Sequence, residues 1–313
     1  MSVESLLNSR LVMVTGKGGT GKTTFAAALA VLGAVQGRRT CLCEIDNQRP
    51  SMAAIFDVEP VFEPKEVRPN LDICNIRWDE ALQAYLHNLI RMRRVVKLIL
   101  TNKIVGRFLD FLPGSQELVA LSIVGKLCSE YELVIVDMPA SGHAFSLLDV
   151  TRTTLGMFES GPVRKSAGDL VELLHEESSR IVYVALPEEM VVNETIETFE
   201  KFKQYELLGG EPVVFLNRAT LPTLTDDERT LLARLSHLEL EPLQREFVRA
   251  GRWEDTLEQA TAISQERLKE AMPIDPILIP PAGAGGEPRR LVGSVAVHLG
   301  RQVGITRRDL AWT

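Results

Sequence analysis

Eight consecutive residues, Gly16-Lys17-Gly18-Gly19-Thr20-Gly21-Lys22-Thr23, fit the spacing G-x-x-x-x-G-K-[ST]. Glycines at such steps let successive backbone N–H groups converge on one cavity and hold phosphate oxygens, and a helix beginning at the loop adds its positive dipole end. In that chemistry the Lys22 ammonium reaches the β- and γ-phosphates, the Thr23 hydroxyl ligates Mg²⁺, and Thr24 completes the set of nucleotide-contact candidates. Gly16, Gly18 and Gly21 also satisfy G-x-G-x-x-G, and Glu44 or Asp46 stands near the ~20-residue offset of a ribose-binding acid in a dinucleotide fold. Lys22, Thr23 and Thr24 decide between the two, because a dinucleotide has no γ-phosphate for them to meet. A glycine-rich turn that binds nothing would carry the entropic cost of its glycines without return.

A second chemical feature is an apolar run, Leu133-Val134-Ile135-Val136, that ends in Asp137. Such an acid holds Mg²⁺, commonly through water. Alone it is a weak signal. The small-residue loop after it, Pro139-Ala140-Ser141-Gly142-His143, strengthens it, since a loop beside the γ-phosphate can change shape when that phosphate leaves.

These residues need strands and helices to present them. Apolar runs at 11–15, 40–45, 71–76, 133–137, 181–186, 212–216 and 276–279 predict strands, and several show no alternation, as strands covered on both faces do. Helical patterns cover 22–35, roughly 80–112, 116–130, 191–206, 226–238, 253–271 and 288–302. The alternation predicts an α/β fold: a single P-loop NTPase domain over 1–313, mainly parallel sheet with helices on both faces and a helical embellishment at about 80–130.

Composition sets outer limits. The 313 residues are 45% hydrophobic and 25% charged, which excludes disorder, collagen and coiled coil. A net charge of −7 disfavours nucleic acid as the main ligand. The longest apolar stretch, 25–35, is too short to span a bilayer, and the N-terminus does not read as a secretory signal, so a cytoplasmic location is expected, with peripheral membrane association as the alternative. Cys41, Cys43, Cys74 and Cys128 form no C-x₂-C pair and read as buried thiols in a reducing compartment.

Lys17 within the loop makes the sequence resemble the deviant Walker A, signature-lysine ATPases. These include the arsenical pump-driving and tail-anchored-protein targeting ATPases, the septum-site and partition ATPases and the nitrogenase iron protein. Asp137-Met138-Pro139-Ala140-Ser141-Gly142-His143-Ala144 is similar to the Asp-Thr-Ala-Pro-Thr-Gly-His-Thr switch of the arsenical-pump and tail-anchor branch, and Leu112-Pro113-Gly114 with Glu117 matches another of its landmarks. Pro187-Glu188-Glu189-Met190 with Asn193-Glu194-Thr195 looks most like the bacterial arsenical-pump-like members. The resemblance implies ATP/ADP with Mg²⁺, and a Lys17 that crosses a dimer to the partner's phosphates. It also implies an Asp46 that orients the attacking water, an adenine-reading Asn217, and Pro280 or Pro281 near the second adenine-side loop. The family's Asp-Pro-Ala-His is Asp46-Asn47-Gln48-Arg49 here, a departure at the first switch.

Two specialities of the branch are missing. The interval from His143 to Ile181 is short and holds only Met157, so it carries no Met-rich client groove. Leu86, Leu89, Ile90, Val96, Leu100 and Ile104 could rebuild one, though packing on the protein's own body is the commoner fate of such a face. Cys41 and Cys43 share a strand face while Cys74 and Cys128 lie on other elements, which disfavours a metalloid or shared zinc. His143 is a candidate sensor of nucleotide state or a structural histidine. The arginine-rich end (Arg289, Arg290, Arg301, Arg307, Arg308) with Trp312 reads as a solvated helix and tail, with anionic lipid the alternative.

The functional expectation is a Mg²⁺-dependent, dimeric ATPase, a homodimer or a heterodimer with a paralogue, coupled to an unidentified protein or membrane-protein client. The alternative is a slow-hydrolysing nucleotide-gated binding module. A small-molecule kinase or amidoligase on the same scaffold is the third reading.

Overall fold

The computed structural model describes residues 2–45, 51–90, 114–207, 209–272, 274–283 and 286–310. Their elements run α1 (Val3–Leu7), β1 (Leu11–Thr15), α2 (Lys22–Val35), β2 (Thr40–Ile45), α3 (Ser51–Phe56), β3 (Lys65–Arg68), β4 (Leu71–Ile76) and α4 (Trp78–Leu89). They continue with α5 (Ser115–Glu130), β5 (Leu133–Asp137), α6 (Ser141–Met157), α7 (Pro162–His175), β6 (Ser179–Ala185) and α8 (Glu189–Gln204). Last come β7 (Val213–Asn217), α9 (Asp226–Leu235), α10 (Pro242–Ala271), β8 (Ile277–Ile279) and α11 (Pro288–Gly300), with a 3₁₀ turn at Arg301–Val303.

The strands form one eight-stranded sheet in the order β3-β4-β2-β5-β1-β6-β7-β8. Every neighbouring pair is parallel except β3 with β4. β1, β2 and β5 are buried along almost their whole length, which is why β1 and β5 read as apolar runs up to their last residue, while β2 carries the buried acid Glu44 within it. Two apolar clusters lie on the two faces. One packs α4 to α8 and the end of α10 on the sheet, and the other packs α1, α2, α3 and α11 on it.

The α2 helix is buried nearly all round, and its alanines allow close approach to the sheet. At Gly33 a Cβ would come within 2.6 Å of Leu133 Cδ2 and 3.0 Å of Thr40 Oγ1. The Phe25 ring packs on Phe215 with centroids 5.0 Å apart, tying α2 to β7. The loop at 16–21 is thereby carried between a fixed strand and a fixed helix. It sits where the chain order across the sheet reverses, since β1 has β5 on one side and β6 on the other.

Several sequence expectations are corrected here. Residues 141–175 form two helices, α6 and α7, where none was expected. The pattern from about 80 runs helically from Trp78 only to Leu89, where Ile90 turns extended (φ −120°, ψ 103°). Leu86 is buried and Leu89 and Ile90 pack on the core, as expected for a face turned to the protein's own body, while Val96, Leu100, Ile104, Leu112 and Pro113 lie outside the described residues. The helix expected at 253–271 begins at Pro242, with Pro in its first turn where a missing N–H costs nothing. The polar edge strand β3 was not expected at all.

All four cysteines are buried. Cys74 pairs with Cys43 across the β2–β4 register, and its sulfur lies 3.9 Å from that of Cys41, so the fold brings the Cys74 thiol of β4 beside the two of β2. Hydrogen bonding to Cys74 and burial hold the Cys41 and Cys43 thiols well above the ordinary range, and burial pushes Cys128 to about 12. Among the described residues no group of three or more His, Cys, Asp or Glu side chains could hold a metal ion.

Candidate nucleotide-binding site

The loop leaves β1 through Gly16, whose φ of 146° favours glycine. A Cβ there would sit 2.3 Å from the Val184 carbonyl oxygen of β6, so the loop can pass over the neighbouring strand only without a side chain. Gly19 (φ 85°) and Gly21 (φ 103°) complete the curl, with Gly21 directly before the first turn of α2. Thr20 is buried, and its hydroxyl donates to the Lys17 carbonyl at 2.9 Å, closing the loop on itself. Gly18 is exposed, and nothing stands within 4 Å of where its Cβ would be.

Lys22, Thr23 and Thr24 occupy the first turn of α2 at intermediate exposure. The Lys22 ammonium donates to the Lys17 carbonyl at 3.3 Å. Burial lowers its pKa, and the negative charges of Asp137 and Glu194 oppose that shift. The Thr23 hydroxyl donates to Oδ2 of Asp137 at 2.5 Å.

Asp137 ends β5, in register with Val14 on one side and Glu44 on the other. Burial raises its carboxyl to about 6, while the Thr23 hydrogen bond and the charge of Lys22 pull it down. Its Oδ1 is buried with no hydrogen-bond partner among the described residues. A desolvated carboxylate with a spare oxygen beside a threonine hydroxyl suits Mg²⁺, a hard cation that takes one or two protein oxygens and fills its remaining positions with phosphate and water. Thr23 and Asp137 are the residues that would hold it.

On the far side of β1, Asn217 closes β7, and its Nδ2 donates to the Thr20 carbonyl at 2.8 Å. The same amide lies 2.9 Å from where a Gly21 Cβ would be. Sequence reasoning for the adenine-side Asn217 thus leads to a residue held against the loop. Pro280 and Pro281 follow Ile279, the β8 partner of Asn217, and line an open cavity of about 1260 Å³ along α11 with Arg289, Arg290, Arg301 and Arg307. Asp46 lies outside the described residues, as does Trp312. Glu44, the rival ribose acid, is buried in the sheet and accepts the Ser51 backbone N–H at 3.0 Å, an orientation taken up by the protein itself.

One further residue belongs to the arrangement. Glu194 on α8 places Oε2 3.5 Å from the Lys17 ammonium and accepts a hydrogen bond from Ser141, the first residue of α6. The sequence marks Asn193-Glu194-Thr195 by resemblance and gives Glu194 no role. Its signal is a carboxylate one turn and a half into the helix after β6, visible as chemistry only once that strand is placed beside β1. His143 is exposed in the first turn of α6.

The chain resembles known proteins over the same region. The family model described as anion-transporting ATPase matches residues 9–175. ATPase BagA of Mycobacterium tuberculosis (strain H37Rv) is 33% identical over 222 residues, 66% of this chain and 65% of that protein. An arsenical pump-driving ATPase of Acidiphilium multivorum is 25% identical over 254 residues, 73% of this chain and 42% of that protein. The chain therefore matches less than two thirds of the length of either relative. The family match takes in the phosphate loop, β2, β5 and the Asp137 segment, and the chain belongs to the anion-transporting ATPase family, the arsenical pump-driving ATPases among its relatives.

Proposed function

We propose that the chain is a Mg²⁺-dependent ATPase of one domain that works as a nucleotide-gated dimer, closing on ATP and reopening after hydrolysis, in the cytoplasm or at a membrane surface. The observation that carries the reading is the Thr23–Asp137 pair at the mouth of the glycine loop, its acid buried and Asp137 Oδ1 left for a cation. Backbone N–H groups of 16–23 bind the phosphates and Lys22 meets the β- and γ-oxygens, while a Mg²⁺ held by Thr23 and Asp137 would supply positive charge beside the phosphates. Lys17 serves the partner's phosphates and Asp46 orients the attacking water. Asn217, with Pro280 and Pro281, bounds the base. Cycling is coupled to a protein or membrane-associated client. Among the described residues no helix is long and apolar enough to cross a membrane.

The test is Asp46→Asn against Lys22→Ala. The Asp46 variant is expected to bind ATP and lose turnover, and the Lys22 variant to lose binding; unchanged turnover in the Asp46 variant removes that residue from the reaction. A second reading, a slow-hydrolysing gated binding module formed with an identical chain or a paralogue, is favoured by the intrachain contact of Lys17 with Glu194, which occupies the lysine that a fast enzyme must extend. Light scattering with and without ATP, run beside a phosphate-release assay, separates the two, since ATP-stable dimers with negligible release support the second.

A further inference from the structure

Two groups suited to a terminal phosphoryl group converge on one carboxylate. Glu194 Oε2 stands 3.5 Å from Lys17 Nζ, and Glu194 Oε1 accepts from the Ser141 hydroxyl. Its charge also acts on Lys22, the second lysine of the loop. The position of the carboxylate is set by its helix. The neighbouring Asn193 accepts from Arg267 Nη2 at 2.5 Å, which fastens α8 to α10, and Thr198 donates to the Glu194 carbonyl at 2.7 Å within the helix.

We propose that Glu194 is a positioning residue that stands in for phosphate before nucleotide arrives, restraining Lys17 and Ser141 in the single chain and giving both up when phosphate enters. This rests on the reading of 16–23 as a nucleotide loop, and it concerns the state that precedes binding. The side chains of Lys17 and Glu194 are 34% and 36% exposed, so the pair is solvent-screened and weak. A multiply charged phosphate makes shorter, charge-assisted contacts and repels the carboxylate at the same time, so exchange runs in favour of the nucleotide. Release of Lys17 lets it turn away from its own loop, and release of Ser141 frees the first turn of α6, directly after the segment that carries Asp137. One displacement event thus reports phosphate to two elements.

The experiment compares wild type, Glu194→Gln and Ser141→Ala without nucleotide and with ADP. The readouts are acetylation of Lys17 by an N-hydroxysuccinimide ester, measured by peptide mass spectrometry, and the Kd for a fluorescent ADP analogue. In the nucleotide-free protein, Glu194→Gln is expected to raise the Lys17 acetylation rate several-fold, and Ser141→Ala to raise it less. Adding ADP is expected to raise the rate in wild type and to add nothing in Glu194→Gln. Removing the competing charge is expected to tighten ADP about three- to tenfold. An unchanged acetylation rate in Glu194→Gln, or weaker ADP binding in that variant, would overturn the proposal. Failure of wild type to bind ADP at all would overturn the nucleotide reading and the displacement step with it, while the nucleotide-free acetylation contrast would still stand for the Lys17–Glu194 restraint.

Discussion

The Thr23 hydroxyl donates to Asp137 Oδ2 at 2.5 Å, joining the first turn of α2 to the last residue of β5. Two residues suited to one cation satisfy each other across a partly buried contact, and the second oxygen of the acid is spare.

That geometry fixes a pH dependence. The Asp137 carboxyl is raised from an ordinary 3.8 to about 6, so the folded chain favours its protonated form. The associated stability is fully present below about pH 4 and is lost as pH rises through about 6, a difference on the order of 3 kcal/mol. Asp137→Asn is therefore expected to raise the melting temperature of the nucleotide-free protein at pH 7.5 by several degrees and to give little gain at pH 4. Affinity for ATP with Mg²⁺, which needs the carboxylate, falls about tenfold per unit below pH 6 in wild type and loses that dependence in the variant. Calorimetry and a nucleotide titration at matched pH values check both.

Lys22→Ala should weaken ATP by about 100-fold or more, since the loop loses its one inward ammonium and keeps only neutral N–H donors at the β- and γ-positions. Because the side chain is only partly buried and its pKa already lowered by burial, the fold should keep its melting temperature within a few degrees. A fluorescence titration alongside a thermal melt separates lost binding from lost structure.

Gly16→Ala tests the loop's path rather than its chemistry. The new methyl would lie 2.3 Å from the Val184 carbonyl, a backbone atom that cannot swing aside, at a φ of 146°. The expected result is destabilisation of about 2 to 4 kcal/mol by urea unfolding together with weakened ATP binding. Gly18→Ala, which meets nothing within 4 Å, should leave stability within about 0.5 kcal/mol.

Glu258 holds the segment after Asn217 onto α10. It accepts from the Thr223 N–H and hydroxyl at 2.7 Å each, from the Leu224 N–H at 3.3 Å and from Arg229 Nη2 at 2.5 Å, and only 4% of it is exposed. Glu258→Ala leaves these donors without their acceptor and should cost about 2 to 3 kcal/mol. Glu258→Gln, which keeps the shape and loses the charge, should cost less. Denaturant midpoints of the two variants give the comparison.

How much could be read from sequence follows from what each element buries. β1 and β5 were legible to the residue because continuous apolar runs admit few other fates in an α/β chain, and β2 and β4 because their short apolar stretches, though broken by Glu44, Asp72 and Asn75, are too short for a helix. β3, Lys-Glu-Val-Arg, was not, because an edge strand with exposed ends carries no apolar signature. In α6 threonines at 151, 153 and 154 blur the helical pattern, and α7 opens on Gly161-Pro162 and contains Gly168, so both lost their signal to residues of low helix propensity. The front of α10 hid because it packs little: Leu243, Phe247 and Trp253 are exposed there, Val248 alone is buried before Glu258, and the buried stripe then runs through Glu258, Thr261, Ser264 and Leu268. In the candidate site, the glycine loop, Lys22, Thr23 and Asp137 were singled out by local spacing, and the structure brings them together. The contacts of Glu194 with Lys17 and Ser141 were not legible, because they depend on strands far apart in sequence lying side by side.

The hydrogen bonds that assemble the site also say when it can exist. Thr23 waits for Asp137, 114 residues later, and Thr20 waits for Asn217, 197 residues later. At roughly 5–20 residues per second of synthesis, the second interval is on the order of 10–40 s. Throughout that time the glycine loop is made but its surroundings are not, so nucleotide cannot select or protect an early nascent chain. Ligand-assisted folding, if measured on the ribosome, should appear only after β7 has emerged.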